Sequence, residues 1–208
     1  MKATLYAHVF GRFVAALVLL LCSGCSGLLP SPLPPDSIYL LESGAAPQPV
    51  YTPRSDAVLA VSLPRARAGF DTAQMVWVQQ AHGLRVYSRS RWADTPSHLL
   101  APLISQAVVR SGAFHAVVQA PSSVSALLRL DTELIRLQQD FSVQPSRVRL
   151  TLAAQLIDQG ARRVLAAEEF DETENASSED AYGGVRAANR ALERLLARLA
   201  AFCAVHRP

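Results

Sequence analysis

The first 25 residues constrain this chain more than any other stretch. A basic head, residues 1–12, precedes ten apolar residues, 13–22, and two small residues then lead directly to Cys25. A cationic head, a short apolar run and small residues at a cleavage point are typical of an export signal. Because ten apolar residues are too few to span a bilayer comfortably, the segment predicts a removable signal peptide over residues 1–24.

The cysteine that follows the small residues distinguishes this segment from a plain secretory signal. The segment Cys22-Ser23-Gly24-Cys25 resembles a bacterial lipobox. In lipoproteins with this motif the cysteine thiol receives a diacylglycerol, cleavage occurs before the cysteine, and its amine can then be acylated. The resemblance implies a membrane anchor at Cys25, where each buried methylene contributes about 0.8 kcal/mol. Cys22 departs from the pattern, which usually has leucine there, and a plain secretory signal with incidental cysteines is the alternative.

The next region, residues 25–53, is predicted to hold the acylated cysteine and a tether with one short strand. The proline-rich stretch 26–35 favours an extended chain, and a short apolar run at 38–41 favours a strand. Ser26, and not aspartate, follows the cysteine, which by resemblance to proteobacterial lipoproteins implies transfer to the outer membrane. Residues 54–208 are predicted to form a single α/β domain, which the resemblance to such lipoproteins implies is periplasmic.

The cysteine count removes disulfides as a source of stability. With Cys22 lost and Cys25 converted to a thioether, Cys203 remains alone, and its apolar helical surroundings favour a small core residue. Half of the 208 residues are hydrophobic, so a domain of roughly 150 residues can be held by its apolar core. Without the signal, 18 basic residues face 17 acidic ones, which gives no reason to expect a nucleic-acid partner.

Apolar periodicity predicts an α/β (α+β) fold, with a mixed or antiparallel β-sheet and two main helices packed on one face. The main predicted strands cover residues 57–63, 75–80, 84–88, 126–136, 147–158 and 163–170. The first helix is predicted to start at a Thr95 cap and to stop at Gly112. An acidic loop over residues 171–180 is predicted before the second helix, with Ser177 or Ser178 as its cap.

The strands at 75–88 predict a β-hairpin with an aromatic face. A three-residue loop, 81–83, places Val78 beside Val86 on one face. On the other face the same register places Trp77 beside Tyr87. This aromatic pair could form a surface for a ligand or partner, or it could stabilise the sheet by up to about 1 kcal/mol.

Arginines recur at intervals of four along the second helix. The row consists of Arg186, Arg190, Arg194 and Arg198. Such a row could meet lipid phosphates or an acidic partner. The alternative, which we favour, is a solvated face whose charge is tempered by Glu193.

No residue pattern predicts an enzyme, a metal site or a cofactor. The only lysine, Lys2, lies in the signal, which excludes a P-loop, and no Gly-x-Ser-x-Gly sequence is present. Three histidines of the domain are isolated from one another and lack the spacing of zinc ligands: His82, His98 and His115. We therefore expect a non-enzymatic protein.

Several motifs in order carry a further resemblance. After the lipobox come Tyr39-Leu40-Leu41, Leu63-Pro64, residues 69–75, residues 87–94, Ser111-Gly112-Ala113-Phe114 and Ala187-Ala188-Asn189. In this order they resemble the ABC-type transport auxiliary lipoprotein component family, whose best-known members are the PqiC-like lipoproteins. The resemblance spans nearly the whole mature chain, and Trp92-Ala93-Asp94 before the first helix is its most specific motif.

The resemblance implies an outer-membrane lipoprotein that faces the periplasm and docks on transport machinery. Its implied partners are an MCE-domain protein and an ABC permease with its ATPase, which move phospholipid or a related lipid across the periplasm and support membrane integrity. A ring-like homo-oligomer is a further implied possibility. Arg91, Trp92 and Asp94 are candidate partner contacts, or they lock the junction between hairpin and helix. The alternatives are a stand-alone lipid-binding or structural envelope lipoprotein and a hydrolase of unrecognised type.

Overall fold

The computed structural model describes residues 35–44 and 56–207. The predicted signal peptide, Cys25 and the tether apart from residues 35–44 lie outside the described residues. The boundaries of signal, tether and domain therefore stay predictions.

A mixed nine-stranded sheet and two helices make up the described structure. In chain order the elements are β1 (Ser37–Tyr39), β2 (Val58–Val61), β3 (Arg65–Ala66), β4 (Gln74–Val78), β5 (Leu84–Trp92), α1 (Pro96–Ser111), β6 (Ala116–Gln119), β7 (Leu128–Asp140), β8 (Arg147–Asp158), β9 (Arg163–Asn175) and α2 (Ala181–His206).

Strand β7 organises the sheet. Along one edge it pairs antiparallel with β8, and β9 then pairs antiparallel with β8. Along its other edge it pairs in parallel with β2, β3 and β4, one after another. Beyond β7 the sheet therefore divides into two branches, because β6 extends β2 whereas β5 and then β1 extend β4.

The core lies between one face of this sheet and both helices. Alternate residues of β7 and β8 point to that face and are almost fully buried, among them Leu128, Leu130, Leu134, Leu150, Leu152 and Leu156. The apolar stripe of α2 packs against them through Leu192, Leu195, Leu196 and Leu199. Each buried leucine contributes about 1.5–3 kcal/mol relative to an exposed one. The predicted mixed sheet with two helices on one face is confirmed.

Helix α1 occupies the predicted segment but differs at its cap. Gly112 ends it with φ of 66°, a left-handed conformation that glycine adopts at little cost. Thr95 is the N-cap residue, yet its side chain makes no capping hydrogen bond. Instead its backbone carbonyl accepts a hydrogen bond from the Leu99 N–H at 3.1 Å. The prediction that the Thr95 side chain caps the helix is therefore wrong.

The cap of α2 also differs from the prediction. Neither Ser177 nor Ser178 is the cap, because Asp180 accepts the backbone N–H of Gly183 at 2.7 Å. Ser178 supports the cap by donating its hydroxyl to Asp180 at 2.8 Å. A carboxylate is favoured over a hydroxyl here because it also faces the positive end of the helix dipole.

The predicted acidic loop over residues 171–180 is wrong in its first half. Strand β9 continues to Asn175, and its register pairs Asp171 with Thr151 of β8. Alternating acidic residues resemble a solvated loop in sequence. They form a strand because those that point toward α2 find arginine partners there.

The β4–β5 hairpin has a longer turn than predicted. Val78 pairs with Leu84 and Trp77 pairs with Arg85, so each partner lies two residues nearer the turn than predicted. The predicted register is therefore wrong by two residues. Because side chains alternate with a period of two, the error leaves every side chain on its predicted face.

Candidate functional site

Three aromatic rings line an open groove beside the β4–β5 hairpin. The Phe141 ring meets Trp77 edge-on, with 5.7 Å between ring centroids. The Tyr87 ring is tilted relative to Trp77, with 6.3 Å between ring centroids. The groove has a volume of about 390 Å³, and we define this aromatic groove by its lining residues: Trp77, Gln79, Val86, Tyr87, Ser88 and Phe141.

The parallel pairing of β4 with β7 brings these rings together. It sets Trp77 beside Gln139, and the backbone N–H of Phe141 donates to the Val78 carbonyl at 2.8 Å. Phe141 therefore lies next to the end of β4, although 63 residues separate it from Trp77. The contact between Trp77 and Tyr87 follows from alternation within one hairpin, but Phe141 was missed because no local pattern links it to that hairpin.

A buried chain of hydrogen bonds holds the back of the groove. The Tyr87 hydroxyl donates to Gln139 Oε1 at 2.8 Å, and Gln139 Nε2 donates to Ser146 Oγ at 2.9 Å. The Ser146 N–H in turn donates to Glu179 Oε1 at 2.9 Å. Gln139 and Ser146 are buried. The chain therefore ties the hairpin to the central strand and to the start of α2, which fixes the position of the Tyr87 ring.

Two features set the electrostatics of the groove. Burial raises the pKa of Tyr87, and the carboxylates of Asp180 and Glu179 raise it further. The phenol therefore keeps its proton and stays a hydrogen-bond donor. On the outer side, the Arg85 guanidinium lies 5.3 Å from the Trp77 ring centroid, within the range of a cation–π contact. The groove is thus apolar with a positive rim.

Trp92 and Asp94 lie at the junction of β5 and α1. Trp92 is only 4% exposed, and its backbone N–H donates to the Ala73 carbonyl at 2.7 Å. Asp94 Oδ1 accepts the Thr95 N–H at 2.6 Å, and Asp94 Oδ2 lies 3.1 Å from His98 Nδ1. The Thr95 N–H is the largest cause of the lowered pKa of Asp94, and His98 adds to it. These contacts fix the junction.

The candidate residues therefore divide between three places. Trp77 and Tyr87 share the aromatic groove, whereas Trp92 and Asp94 lie at the junction. Arg91 is exposed and forms no hydrogen bond or ion pair with any residue of the described ranges. Cys25 lies outside the described residues.

The arginine row of α2 is largely engaged by glutamates of β9. The ion pairs join Arg190 to Glu174, Arg194 to Glu174 and Glu172, and Arg198 to Glu172 and Glu168, with N–O distances of 2.7–3.4 Å. Four helical residues rise about 6.0 Å and two strand residues about 6.6 Å, so the two rows stay in register. These three arginines are therefore not unpaired charges free for lipid phosphates, and their side chains, which stay 39–48% exposed, form a solvated face paired with glutamates.

The described part of the chain offers little room inside its core. Between the sheet and α2, near Trp92, Gln139 and Gly184, the cavity measures about 10 Å³, about the limit for one water molecule. No three His, Cys, Asp or Glu side chains of the described ranges lie close enough to hold a metal ion. Neither helix of these ranges has an apolar stretch that meets the requirements for a membrane span.

Comparison with known families and structures gives one family match and several related folds. The model of the ABC-type transport auxiliary lipoprotein component family matches residues 39–200. A crystal structure of a Xanthomonas campestris protein of the DUF330 family shares 23% identity and superposes with a TM-score of 0.74. The match covers 82% of this chain and 95% of that one.

A second solved structure has the same fold at greater distance. A hypothetical protein from Chlamydia trachomatis is 10% identical, with a TM-score of 0.54, over 73% of this chain and 97% of that one. No curated protein matches the chain in sequence. At these identities the two structures support the fold alone.

Proposed function

The chain belongs to the ABC-type transport auxiliary lipoprotein component family, and from this premise we propose that it is the docking subunit of a lipid transport system. In this proposal acyl chains on Cys25 hold the protein in the outer membrane. The folded domain faces the periplasm and binds an MCE-domain protein, which links it to an ABC permease and its ATPase. The cargo is phospholipid or a related lipid.

The observation that carries the docking role is the aromatic groove. Tryptophan and tyrosine dominate the binding energy of protein interfaces, because each ring buries a large area and loses little conformational freedom. Trp77 and Tyr87 lie on paired strands. The hydrogen-bond chain from Tyr87 to Glu179 fixes the position of the Tyr87 ring. A groove that is already ordered needs little rearrangement to bind, so more of its contact energy remains as affinity.

The docking role is tested by recovery of partners from solubilised membranes. The acylated wild-type protein is expected to recover the MCE-domain protein and the permease. Trp77→Ala is expected to reduce that recovery at least about tenfold, the effect of losing a contact of about 1.4 kcal/mol or more. Tyr182→Ala is the matched control, because Tyr182 is an exposed aromatic residue outside the groove.

Two negative observations together would contradict the docking role. If the wild-type protein recovers no permease or MCE component, and a deletion strain has normal lipid traffic, the protein is not part of such a system. Native mass spectrometry of the same preparation counts the copies of the chain. It thereby tests the ring-like homo-oligomer that the family resemblance implies.

The anchor is tested separately from the partner. Cys25→Ser is expected to stay unprocessed or to leave the outer membrane. Mass spectrometry of the wild-type N-terminal peptide is expected to find Cys25 as the first residue with acyl chains on it. Normal processing and sorting of Cys25→Ser would refute the anchor.

A second candidate function, a stand-alone lipid-binding protein, has one observation in its favour. The 390 Å³ groove is lined mainly by aromatic and aliphatic carbon and falls in the size range of small-ligand sites. The 10 Å³ cavity near Trp92 is far too small for an acyl chain, so a lipid would have to lie in the groove. Lipid that co-purifies with the wild-type protein but not with Trp77→Ala, without any recovered transport component, would favour this function.

A further inference from the structure

Exposed aliphatic side chains gather on the face of β1 and β5 that points away from the helices. Tyr39 pairs with Trp92 and both pack toward the core, so the next pair, Ile38 and Arg91, points outward. Ile38 and Leu40 are 56% and 50% exposed.

The same face continues along β5. There Leu84 is opposite Val78 of β4, on the face away from Trp77, and is 50% exposed. We define the outer patch as Ile38, Leu40, Leu84 and Arg91.

The positive charge next to these side chains is unpaired. Neither Arg91 nor the neighbouring Arg89 forms a hydrogen bond or an ion pair with any residue that the structure describes. This differs from Arg190, Arg194 and Arg198 of α2, all of which bind glutamates. A free guanidinium presents a planar fork of N–H donors that matches a phosphate group. Aliphatic carbon flanked by free arginine is the composition of a surface that meets both the acyl and the phosphate layers of a bilayer.

The covalent path to the patch is short. Only ten residues, 26–35, separate Cys25 from Asp36, and Ile38 lies thirteen residues after the cysteine. A fully extended chain spans at most about 3.6 Å per residue, so the connection from Cys25 to β1 cannot exceed about 40 Å. Strand β1 is thus the part of the described domain that the anchor holds nearest to the membrane along the chain. A short connection raises the effective concentration of the bilayer at that surface.

We infer that the outer patch rests on the bilayer that holds the acyl chains, with Ile38 and Leu40 at the apolar boundary and Arg91 at the lipid phosphates. This inference rests on the proposed anchor at Cys25. It orients the domain with its helices turned away from the membrane.

The test measures the depth of a fluorescent probe in the membrane. The acylated full chain is reconstituted into vesicles of phosphatidylethanolamine and phosphatidylglycerol, with a polarity-sensitive probe attached to Ile38→Cys. The introduced thiol is the reactive one, because Cys25 is a thioether and Cys203 is buried. Burial also raises the pKa of the Cys203 thiol to about 12.

The matched control is Val109→Cys, since Val109 is also 56% exposed but lies on α1. Side chains of interfacial segments lie about 5–10 Å into the headgroup region, so lipid-borne nitroxide is expected to quench the Ile38 probe about threefold more than the Val109 probe. Circular dichroism of both variants is expected to match the wild-type spectrum, which checks that they are folded.

Charge provides the second arm of the test. Arg91→Gln is expected to reduce quenching of the Ile38 probe on these vesicles, whereas Arg163→Gln, on the far edge of the sheet at β9, is expected to leave it unchanged. Removal of phosphatidylglycerol is expected to have the same effect as Arg91→Gln, because the anionic surface attracts the guanidinium.

Three results would overturn the inference. Equal quenching at Ile38 and Val109 would show that the domain has no preferred face toward the bilayer. A response of the Ile38 probe only after addition of the transport partner would assign the outer patch to protein binding. A probe that attaches to Cys25, in protein that does not float with vesicles, would refute the anchor, and the proposed function and this inference would fall together.

Discussion

Two regions of the molecule, helix α2 with strand β9 and strand β5, each carry several arginines and use them in opposite ways. On α2, three arginines bind three glutamates of β9, and the charges are satisfied within the domain. On β5, Arg85 lies over the Trp77 ring, whereas Arg89 and Arg91 have no hydrogen bond or ion pair with the described residues. In the first region the arginines bind the edge strand β9 to α2. In the second region, Arg89 and Arg91 of β5 leave their charges unpaired among the described residues, beside exposed aliphatic side chains.

The difference shows that regularly spaced arginines do not by themselves indicate a binding surface. The row on α2 is the more regular of the two in sequence, yet it is structural, because the acidic residues of β9 repeat with nearly the same rise. The positions on β5 look unremarkable in sequence, but no acidic strand runs beside them at matching spacing. Periodicity of charge therefore indicates binding only after the chain's own partners have been found.

The largest expected difference between the two regions is in stability, and replacing one phenylalanine in each of them measures it. Phe170 is fully buried, meets Phe202 edge-on at 5.8 Å and lies under Arg198. Phe170→Ala is expected to lower the free energy of unfolding by about 3–5 kcal/mol. Phe141→Ala, in the open groove, is expected to cost only about 1 kcal/mol. Urea unfolding measures both, and equal losses would break the contrast between a closed and an open region.

A smaller effect is expected where α2 meets the back of the groove. A Cβ atom at Gly184 would overlap Gln139 Oε1, so Gly184→Ala is expected to displace the Tyr87–Gln139 hydrogen bond and to cost about 1–3 kcal/mol. In a Gln139→Ala background the overlap is gone. There the same substitution is expected to become neutral or to stabilise by up to about 1 kcal/mol, since alanine favours helix over glycine. An unchanged cost in both backgrounds, measured by urea unfolding, would contradict this packing.

The ion pairs of α2 are expected to contribute less and to depend on pH. Partial burial alone would raise the pKa of Glu174, but hydrogen bonds from Arg190 and Arg194 outweigh it and lower that pKa below its usual range. The stabilisation is therefore present above the unfolded-state pKa and is lost as the pH falls through the lowered value. Glu174→Gln is expected to cost up to about 1 kcal/mol at pH 7.

The stabilisation by Glu174 is checked by measuring whether it disappears at acidic pH. The difference between wild type and Glu174→Gln in urea unfolding should vanish once the pH lies below the lowered pKa of Glu174. Glu169→Gln is the matched control, because Glu169 is an exposed neighbour in β9 without an arginine hydrogen bond. A constant difference at every pH would assign the effect to packing and not to charge.

The smallest effect on folding is expected on β5. Because Arg91 has no described partner, Arg91→Gln is expected to leave the free energy of unfolding unchanged within about 0.5 kcal/mol. Arg194→Gln, which breaks two ion pairs, is expected to destabilise measurably. If Arg91→Gln destabilises the isolated domain as much as Arg194→Gln, the two arginine sets are not different in kind.

The sequence was sufficient for the fold class, the extent of α1, and the faces of the hairpin strands and of β8. These follow from local periodicity, and they survive an error of two residues in the hairpin because alternation preserves the face. The hydrophobic stripes of α1 and α2 likewise identify the side that must meet the sheet.

What the sequence missed depends on contacts between distant segments. Phe141 joins Trp77 only through the parallel register of β4 and β7. The strand character of residues 171–175 depends on arginines of α2, and the two residues of β3 are too few for a periodic pattern. The cap at Asp180 was missed because several residues nearby have side chains able to accept the same N–H groups.

The arrangement around β7 has a consequence for how the chain matures. Strands β2, β3 and β4 all pair with residues more than sixty positions later in the chain. A chain synthesised from its N-terminus therefore exposes three unpaired strand segments well before strand β7, with which all three pair, has been made. Such distant pairing slows folding and leaves unpaired strands open to aggregation and proteolysis. Chaperones that hold the emerging first half should therefore matter more for this protein than for a helical one of equal length.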